Sequence, residues 1–121
     1  MKEKITVLSQ DFAVKIIKLT DKLFAEKRFS LADQLLRSST SIGANVHEAQ
    51  KPYGRKEFFR KIQIAAGEAE EASFWLLVLE RSGICNEPLD ELRSDLNVIR
   101  KMLAKILMTT KERLNHRQTK K

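Results

Sequence analysis

The chain has 121 residues, the size of one domain, and 42% of them are hydrophobic, which is enough to form a core. Only two prolines and four glycines interrupt it, which leaves room for long helices and disfavours a many-stranded fold. No apolar run approaches the ~20 residues of a membrane helix, and the N-terminus lacks the apolar stretch of a signal peptide. A single cysteine, Cys85, forms no internal disulfide, so we expect a soluble cytoplasmic protein without a membrane partner.

The net charge of +7 is unevenly distributed along the chain. Residues 1–95 hold 15 basic and 15 acidic side chains, whereas residues 96–121 hold eight basic side chains and a single acid, Glu112. The whole excess of positive charge therefore falls in the last predicted helix and its tail. Such an end serves either as a solubilising tail or as a surface that attracts phosphate groups.

The first half of the chain predicts two helices, over about residues 9–27 and 30–51, with residues 1–8 as a loose lead-in. Ser9 is the expected cap of helix 1. Ser30 begins helix 2, and Asp33 three residues later gives a weaker form of the capping box. The inward stripe of helix 1 is Phe12, Ile16, Leu19 and Leu23, and that of helix 2 is Leu31, Leu35, Ser38, Ile42, Asn45 and Ala49.

The second half predicts two longer helices, over about residues 55–82 and 87–114, and a basic tail over residues 115–121. Their inward stripes are Phe58, Ile62, Ala65, Ala69, Ala72, Leu76 and Leu79, then Leu89, Leu92, Leu96, Ile99, Leu103 and Ile106. Gly83 is suited to end helix 3. Four helices joined by short turns predict a single all-α domain over residues 1–121, an antiparallel up-down-up-down four-helix bundle.

Small residues dominate the facing sides of helices 2 and 3 when the chain folds back at residues 51–54. Glycine inside a helix costs about 1 kcal/mol relative to alanine, so we expect Gly43 and Gly67 at close contacts between these two helices. Glu68 borders the same seam beside Ser39. There it either forms a hydrogen bond that fixes the hairpin or, less favoured, acts as a functional carboxylate.

Residues 74–79, FWLLVL, are apolar on every face of helix 3. A bundle buries one stripe of each helix, so part of this segment lies off the core. Either the neighbouring helices wrap it or another subunit covers it, and an apolar patch of this kind favours a second subunit. We therefore predict a homo-oligomer whose interface includes Phe74, Trp75, Leu77 and Val78.

The sequence contains no recognised catalytic or metal-binding pattern, so we predict that the protein is not an enzyme and needs no cofactor or metal. A di-iron bundle needs Glu-x-x-His motifs, and neither His47 nor His116 has a glutamate three residues before it. Cys85 has no histidine near it in sequence, and the isolated glycines form no phosphate loop. An enzyme that uses Glu68 or His47 is the least favoured function.

Basic residues converge on one end of the predicted bundle, because the turn between helices 2 and 3 and the end of helix 4 share that end. We predict that this end binds RNA or DNA through phosphate groups, without sequence preference. The candidate residues are Arg55, Lys56, Arg60, Lys61, Lys111, Arg113, Arg117, Lys120 and Lys121. The alternative function is a protein-interaction scaffold that does not contact nucleic acid directly.

Two stretches resemble a known family. LADQLLRSSTSIGANVHEAQ, residues 31–50, and EFFRKIQIAAGEAEEASFWLLVLERSG, residues 57–83, are similar to bacterial four-helix-bundle proteins first known from intervening sequences in 23S rRNA genes. The shared pattern is a small-residue run ending in Asn-Val/Ile-x-Glu, followed by an aromatic start and an Ala-rich middle of helix 3. The usual small residue and glycine after that Glu are replaced here by Ala49 and Gln50. These are packing motifs, specific for the fold rather than for an activity.

The resemblance implies an antiparallel four-helix bundle that often assembles as a ring-shaped homopentamer. Related accessory proteins of diversity-generating retroelements bind a reverse transcriptase and nucleic acid through a positively charged ring. The resemblance therefore makes nucleic acid, and a reverse transcriptase or another nucleic-acid enzyme, candidate partners. The family's name records where its genes were found rather than a ribosomal role.

Overall fold

The computed structural model describes the backbone of residues 2–119 and the side chains of residues 3–116. Over this range the chain forms four α-helices and no strand: α1 (Lys2–Ala25), α2 (Phe29–Ala49), α3 (Arg55–Ser82) and α4 (Asp90–Thr119). Helices α1 and α3 each pack against both α2 and α4 but not against each other, so they lie on opposite sides of the bundle. The prediction of an all-α four-helix fold is confirmed. None of the described helices is both long and apolar enough to cross a membrane.

The interior is formed by the stripes that the spacing predicts. Every predicted inward residue of helices 1 and 4 is buried, and so is every one in helix 3 except Phe58, which is half-buried. In α2 the buried face is rotated slightly, so that Ala32 and Val46 are buried while their neighbours Leu31 and Asn45 are only half-buried. The heptad-like spacing therefore predicts the buried residues correctly at most positions. In α2 the buried residue is displaced by one position from the predicted one at two places.

Polar groups within α2 find backbone partners one turn earlier. The Ser38 hydroxyl donates to the Gln34 carbonyl at 2.9 Å, and the Asn45 amide donates to the Ser41 carbonyl at 2.8 Å. Such bonds satisfy a buried donor without a partner on another helix. The buried Ser39 hydroxyl is the exception in α2, because no described residue pairs with it.

The hydrogen bond expected across the α2–α3 hairpin is not formed. Glu68 Oε2 is buried without a hydrogen-bond partner among the described residues, as is Ser39 Oγ. The Glu68 carboxylate instead lies 3.8 Å from the Arg37 guanidinium, which also binds Glu71 at 2.5 Å. Arg37 of α2 thus bridges two acids of α3, and this ion-pair network takes the position that the sequence suggested for a Ser–Glu contact.

Helix α1 begins at Lys2, so the predicted lead-in over residues 1–8 and the predicted cap at Ser9 are wrong. Ile5 is 1% exposed and extends the apolar stripe by a further turn. Ser9 is buried within the helix, where its hydroxyl donates to the Thr6 carbonyl at 3.1 Å. Burial of Ile5 against the core stabilises the first turns, which propensity alone would leave marginal.

Helix α2 begins at Phe29 rather than Ser30, and no side chain caps it. Its cap residue is Arg28, so the proposed capping box of Ser30 and Asp33 is wrong. The preceding Lys27 adopts a positive φ of 63°, which closes the α1–α2 turn in the left-handed region and brings Arg28 to the cap position. The geometry of the turn therefore overrides the capping preference of serine.

Helix α3 has the predicted bounds, and Gly83 ends it in the left-handed conformation with a φ of 70°. Helix α4 spans Asp90–Thr119, so it starts about three residues later and ends about five residues later than predicted. Pro88 disfavours the helical conformation at Glu87, whose carboxylate instead pairs with Lys22 of α1 at 2.8 Å. No proline or glycine interrupts residues 90–119, so the helix continues through the start of the predicted tail.

Ion pairs join neighbouring helices across the outer surface. Lys15 of α1 lies 2.7 Å from both Glu91 and Asp95 of α4, and hydrogen bonds to Asp95 and then Glu91 raise the pKa of Lys15 above its ordinary value. Further pairs between helices are Glu70–Arg100 and Glu80–Arg93. Because all of these groups are at least partly exposed to water, each pair adds little to stability and mainly favours one alignment of the helices.

The two helical glycines occupy different environments, contrary to the prediction of a shared α2–α3 contact. A Cβ placed on Gly43 would lie 3.4 Å from the Ser9 carbonyl oxygen, so Gly43 permits close approach of α2 to α1 rather than to α3. A Cβ placed on Gly67 would meet nothing within 4 Å, and Gly67 is exposed. The predicted close-packing role is therefore wrong for Gly67, and Gly43 has a different partner.

Substitutions at these glycines are expected to change stability in opposite directions. Gly43→Leu should lower the free energy of unfolding by about 1–3 kcal/mol, because the new side chain meets the α1 backbone. Gly67→Ala should raise it by about 0.5–1 kcal/mol, because alanine favours an open helical site. Chemical denaturation of both variants checks the assignment, and a stabilised Gly43→Leu protein would show that α2 does not approach α1 there.

Candidate nucleic-acid interface

A groove of about 510 Å³ lies between the α2–α3 connection and the C-terminal half of α4. One wall includes Lys51 and Arg55, and the other includes Thr109 and Arg113. Residues far apart in sequence therefore line one concave surface, and the two basic segments that the topology was expected to bring together meet there.

The α2–α3 connection opens the groove because α2 stops abruptly. Gln50 is the C-cap residue of α2 and keeps helical backbone angles, and the Lys51 N–H donates to the Glu48 carbonyl at 3.1 Å. Pro52 follows and cannot continue the helix. Gly54 then adopts a φ of 96°, a conformation that favours glycine. No side chain caps α3 at Gly54, and Glu57 is the acidic residue of its first turn.

The floor of the groove is apolar. Ala49 and Ile106 line it with exposures of 4% and 7%. Phe58 is half-buried and packs against the core. Thr110 is also buried, and its hydroxyl donates to the Ile106 carbonyl at 2.7 Å, so this polar group is satisfied within α4. A ligand in the groove would meet carbon atoms below and charge at the edges.

The edges of the groove carry Lys51, Arg55 and Arg113, all of them exposed. No ion pair engages these three cations among the described side chains, and no acidic residue lines the groove in that part of the chain. Lys15 and Arg100, by contrast, form ion pairs with carboxylates of neighbouring helices. The groove edge is thus a place where positive charge is available for an external anion.

The remaining predicted basic residues differ in position. Arg60 forms two hydrogen bonds with Glu57, at 2.7 and 3.2 Å, which lower the pKa of Glu57 and raise that of Arg60. Lys56 and Lys111 are exposed and Lys61 is half-buried, but none of them, nor Arg60, lines the groove. The side chains of Arg117, Lys120 and Lys121 lie outside the described residues. Of the six predicted residues whose side chains the structure describes, Arg55 and Arg113 line the groove and the other four do not.

The apolar segment of α3 is partly covered by its own chain. Phe74 and Leu77 are 55% and 39% exposed, whereas Trp75 and Val78 are half-buried. Trp75 packs against the core and meets the Phe74 ring edge-on at 5.1 Å. The surface left for a partner on this helix is therefore centred on Phe74 and Leu77, which we call the α3 patch.

A second apolar surface lies on α1, where Val7, Val14 and Ile17 are exposed. We call these three residues the α1 patch. Their spacing of seven and three residues places them on one side of the helix. Because α1 and α3 lie on opposite sides of the bundle, the two patches face away from each other. Sequence reasoning missed the α1 patch, since it sought unbroken apolar runs rather than an outward stripe.

No group of three or more His, Cys, Asp or Glu side chains suited to a metal ion occurs among the described residues. Cys85 is a half-buried free thiol in the α3–α4 connection. The features of the described residues that are suited to binding are the groove and the two apolar patches.

Helix order and core identify the chain as a four-helix-bundle protein, and comparisons with known proteins give its family. It belongs to the 23S rRNA-intervening sequence protein family, which matches over residues 2–105. It is similar to a protein of unknown function from the S23 ribosomal protein family of Bacteroides thetaiotaomicron, known from a crystal structure. That similarity has a TM-score of 0.83 and 38% sequence identity, and covers 89% of this chain and 99% of the other. Curated proteins give no match. The resemblance noted from the sequence is confirmed.

Proposed function

We propose that this protein is a non-enzymatic, oligomeric accessory factor of the cytoplasm that binds nucleic acid or a ribonucleoprotein through its basic groove. The observation that carries the proposal is that Lys51, Arg55 and Arg113 edge one groove that no described acidic residue lines. Exposed cations of this kind attract phosphate groups and release counterions, whatever the base sequence. An arginine guanidinium can also form bidentate hydrogen bonds with two phosphate oxygens.

An antiparallel up-down-up-down arrangement is part of the proposal, because it brings the α2–α3 connection and the end of α4 to one end. The cross-helix ion pairs support it. Lys15 pairs with Asp95, whereas Lys22, further along α1, pairs with the earlier residue Glu87. The same reversal holds between α3 and α4 for the pairs Glu70–Arg100 and Glu80–Arg93.

Self-association into a ring, with a homopentamer as the expected form, completes the proposal. The support is that the α1 patch and the α3 patch lie on opposite sides of one protomer. When two different surfaces bind each other, the contact is head-to-tail, and repetition of such a contact closes a ring if the rotation allows. Each ring would present several copies of the groove, so weak phosphate contacts would add through avidity.

The test of nucleic-acid binding is a titration of the full chain against a labelled short duplex DNA and a short RNA at several salt concentrations. The logarithm of the association constant should fall linearly with the logarithm of the salt concentration, with a slope of about −0.9 for each duplex phosphate neutralised. Sequence changes in the duplex should matter little. Absence of binding to either nucleic acid at low salt would rule the proposal out.

Removal of the acid beside Arg60 is expected to strengthen binding. Glu57→Gln frees the Arg60 guanidinium from its intrahelical partner, so affinity for duplex DNA should rise roughly two- to fivefold, the effect of one exposed charged contact. The control is a double-mutant cycle. If Arg60 carries the gain, Glu57→Gln should have almost no effect in an Arg60→Gln background, whereas an equal gain in both backgrounds would assign it to net charge alone.

A scaffold that binds only other proteins is the second candidate function, and the exposed Phe74 and Leu77 favour it. Such a protein would self-associate as proposed but would not bind nucleic acid. The salt titration therefore separates the two functions.

A further inference from the structure

The groove at the basic end combines an apolar floor with charged edges, and the floor is unnecessary for binding phosphate alone. We infer that the groove accepts an unpaired base from a single-stranded nucleic acid, while Lys51, Arg55 and Arg113 hold the phosphates on either side. This inference rests on the proposed nucleic-acid function and adds a preference for single strands over duplexes.

The shape and composition of the floor match a base. At about 510 Å³ the groove falls within the ~300–1,000 Å³ range typical of small-molecule sites. Ala49, Phe58 and Ile106 give it an apolar surface, and Phe58 supplies an aromatic ring. A base has a flat π-face that stacks on aromatic side chains whatever its identity, which makes such recognition tolerant of sequence.

The polar residues at the floor set a limit on what it can recognise. The buried Thr110 hydroxyl is engaged by the Ile106 carbonyl, and the lining offers Gln50 and Thr109 as exposed polar side chains. These are few groups to read a base edge. The groove should therefore favour unpaired bases in general over any one base.

The charges lie on both walls of the groove. Lys51 and Arg55 belong to the α2–α3 side and Arg113 to the α4 side, so cations flank the apolar floor. A single strand that inserts one base carries a phosphate on each side of it, which matches cations on opposite walls. A duplex keeps its bases stacked and paired, so it can reach the charged edges but cannot fill the floor.

The direct test compares three ligands of equal length on the wild-type protein: oligothymidylate, an abasic strand with the same phosphates but no bases, and a duplex. At equal salt we expect oligothymidylate to bind about tenfold more tightly than the abasic strand, the scale of one stacked base. Oligouridylate serves as the RNA counterpart and should show the same preference over the abasic strand.

Failure of this inference is distinguishable from failure of the proposed function. Equal affinity for all three ligands would overturn base insertion and leave phosphate binding intact, whereas no binding to any of them would remove the proposed function. Displacement of oligothymidylate by a polyglutamate peptide at similar concentrations would also overturn the inference, since it would show a site that selects negative charge alone.

A variant pair isolates the aromatic floor. Phe58→Leu should reduce the preference for oligothymidylate over the abasic strand at least threefold, and Phe58→Tyr should retain that preference. Phe24→Leu is the matched control, because Phe24 is also a half-buried aromatic that packs on the core but does not line the groove. Equal preferences in Phe58→Leu and wild type would place the base elsewhere, and the wild-type comparison stands if Phe58→Leu fails to fold.

Discussion

The double variant Arg55→Glu/Arg113→Glu is expected to lose on the order of 100-fold in affinity for a short duplex at low salt. It removes one cation from each wall of the groove and introduces two carboxylates that repel phosphate. The slope of log affinity against log salt should also fall by about two units on duplex DNA, because two phosphate contacts are lost. Both arginines are exposed, so circular dichroism should show an unchanged fold.

The matched control for this variant is Lys101→Glu/Lys105→Glu. It makes the same change in net charge, and both lysines are exposed on α4 without lining the groove. We expect the control to bind within a few-fold of wild type with nearly the same salt slope. Equal losses in the two variants would show that overall charge, and not the groove, governs binding.

The second large effect concerns assembly. Leu77→Glu should convert the proposed oligomer into monomers, because a carboxylate buried in the α3 patch contact would cost several kcal/mol without a partner. Light scattering should then report 14.0 kDa in place of a multiple of it. Trp75 is the weaker choice for this test, since it also packs against the core of its own subunit. Met108→Glu is the control, because Met108 is an exposed apolar side chain outside both patches.

The head-to-tail arrangement makes a sharper prediction with a second variant. Val14→Glu disables the α1 patch, so it should also give monomers, and a mixture of Val14→Glu and Leu77→Glu proteins retains one intact pair of patches. That mixture should form a dimer of 28 kDa, about twice the 14.0 kDa monomer. If Val14→Glu protein stays fully assembled, the contact joins two α3 patches and the ring proposal is wrong.

The sequence predicted the fold most accurately where one apolar stripe dominates a helix. The uninterrupted spacing from Ile62 to Leu79 located α3 and its buried face. The start of α1 was missed because the polar residue Ser9 occupies a core position and interrupts the stripe before Ile5. Gly67 was misplaced because helical spacing fixes which residues share a face but not how far one helix is rotated against its neighbour.

The candidate site was predictable only in part, for related reasons. Bundle topology alone suggested that Arg55 and Arg113 approach each other. The sequence did not show that Phe58 lines the groove, because its four-residue spacing from Ile62 is that of a core residue. The Glu57–Arg60 pair was not predicted, although its i,i+3 spacing is that of a helical ion pair and could have indicated it.

The most direct test of the central claim is to map where nucleic acid touches the protein. A single strand that carries a photoreactive thymidine analogue is cross-linked to the full chain, and the modified peptides are identified by mass spectrometry. We expect cross-links within residues 49–58 and 106–113, the two segments that line the groove. Cross-links concentrated instead around the α3–α4 connection, residues 83–89, or spread evenly over the surface, would contradict binding at the basic groove.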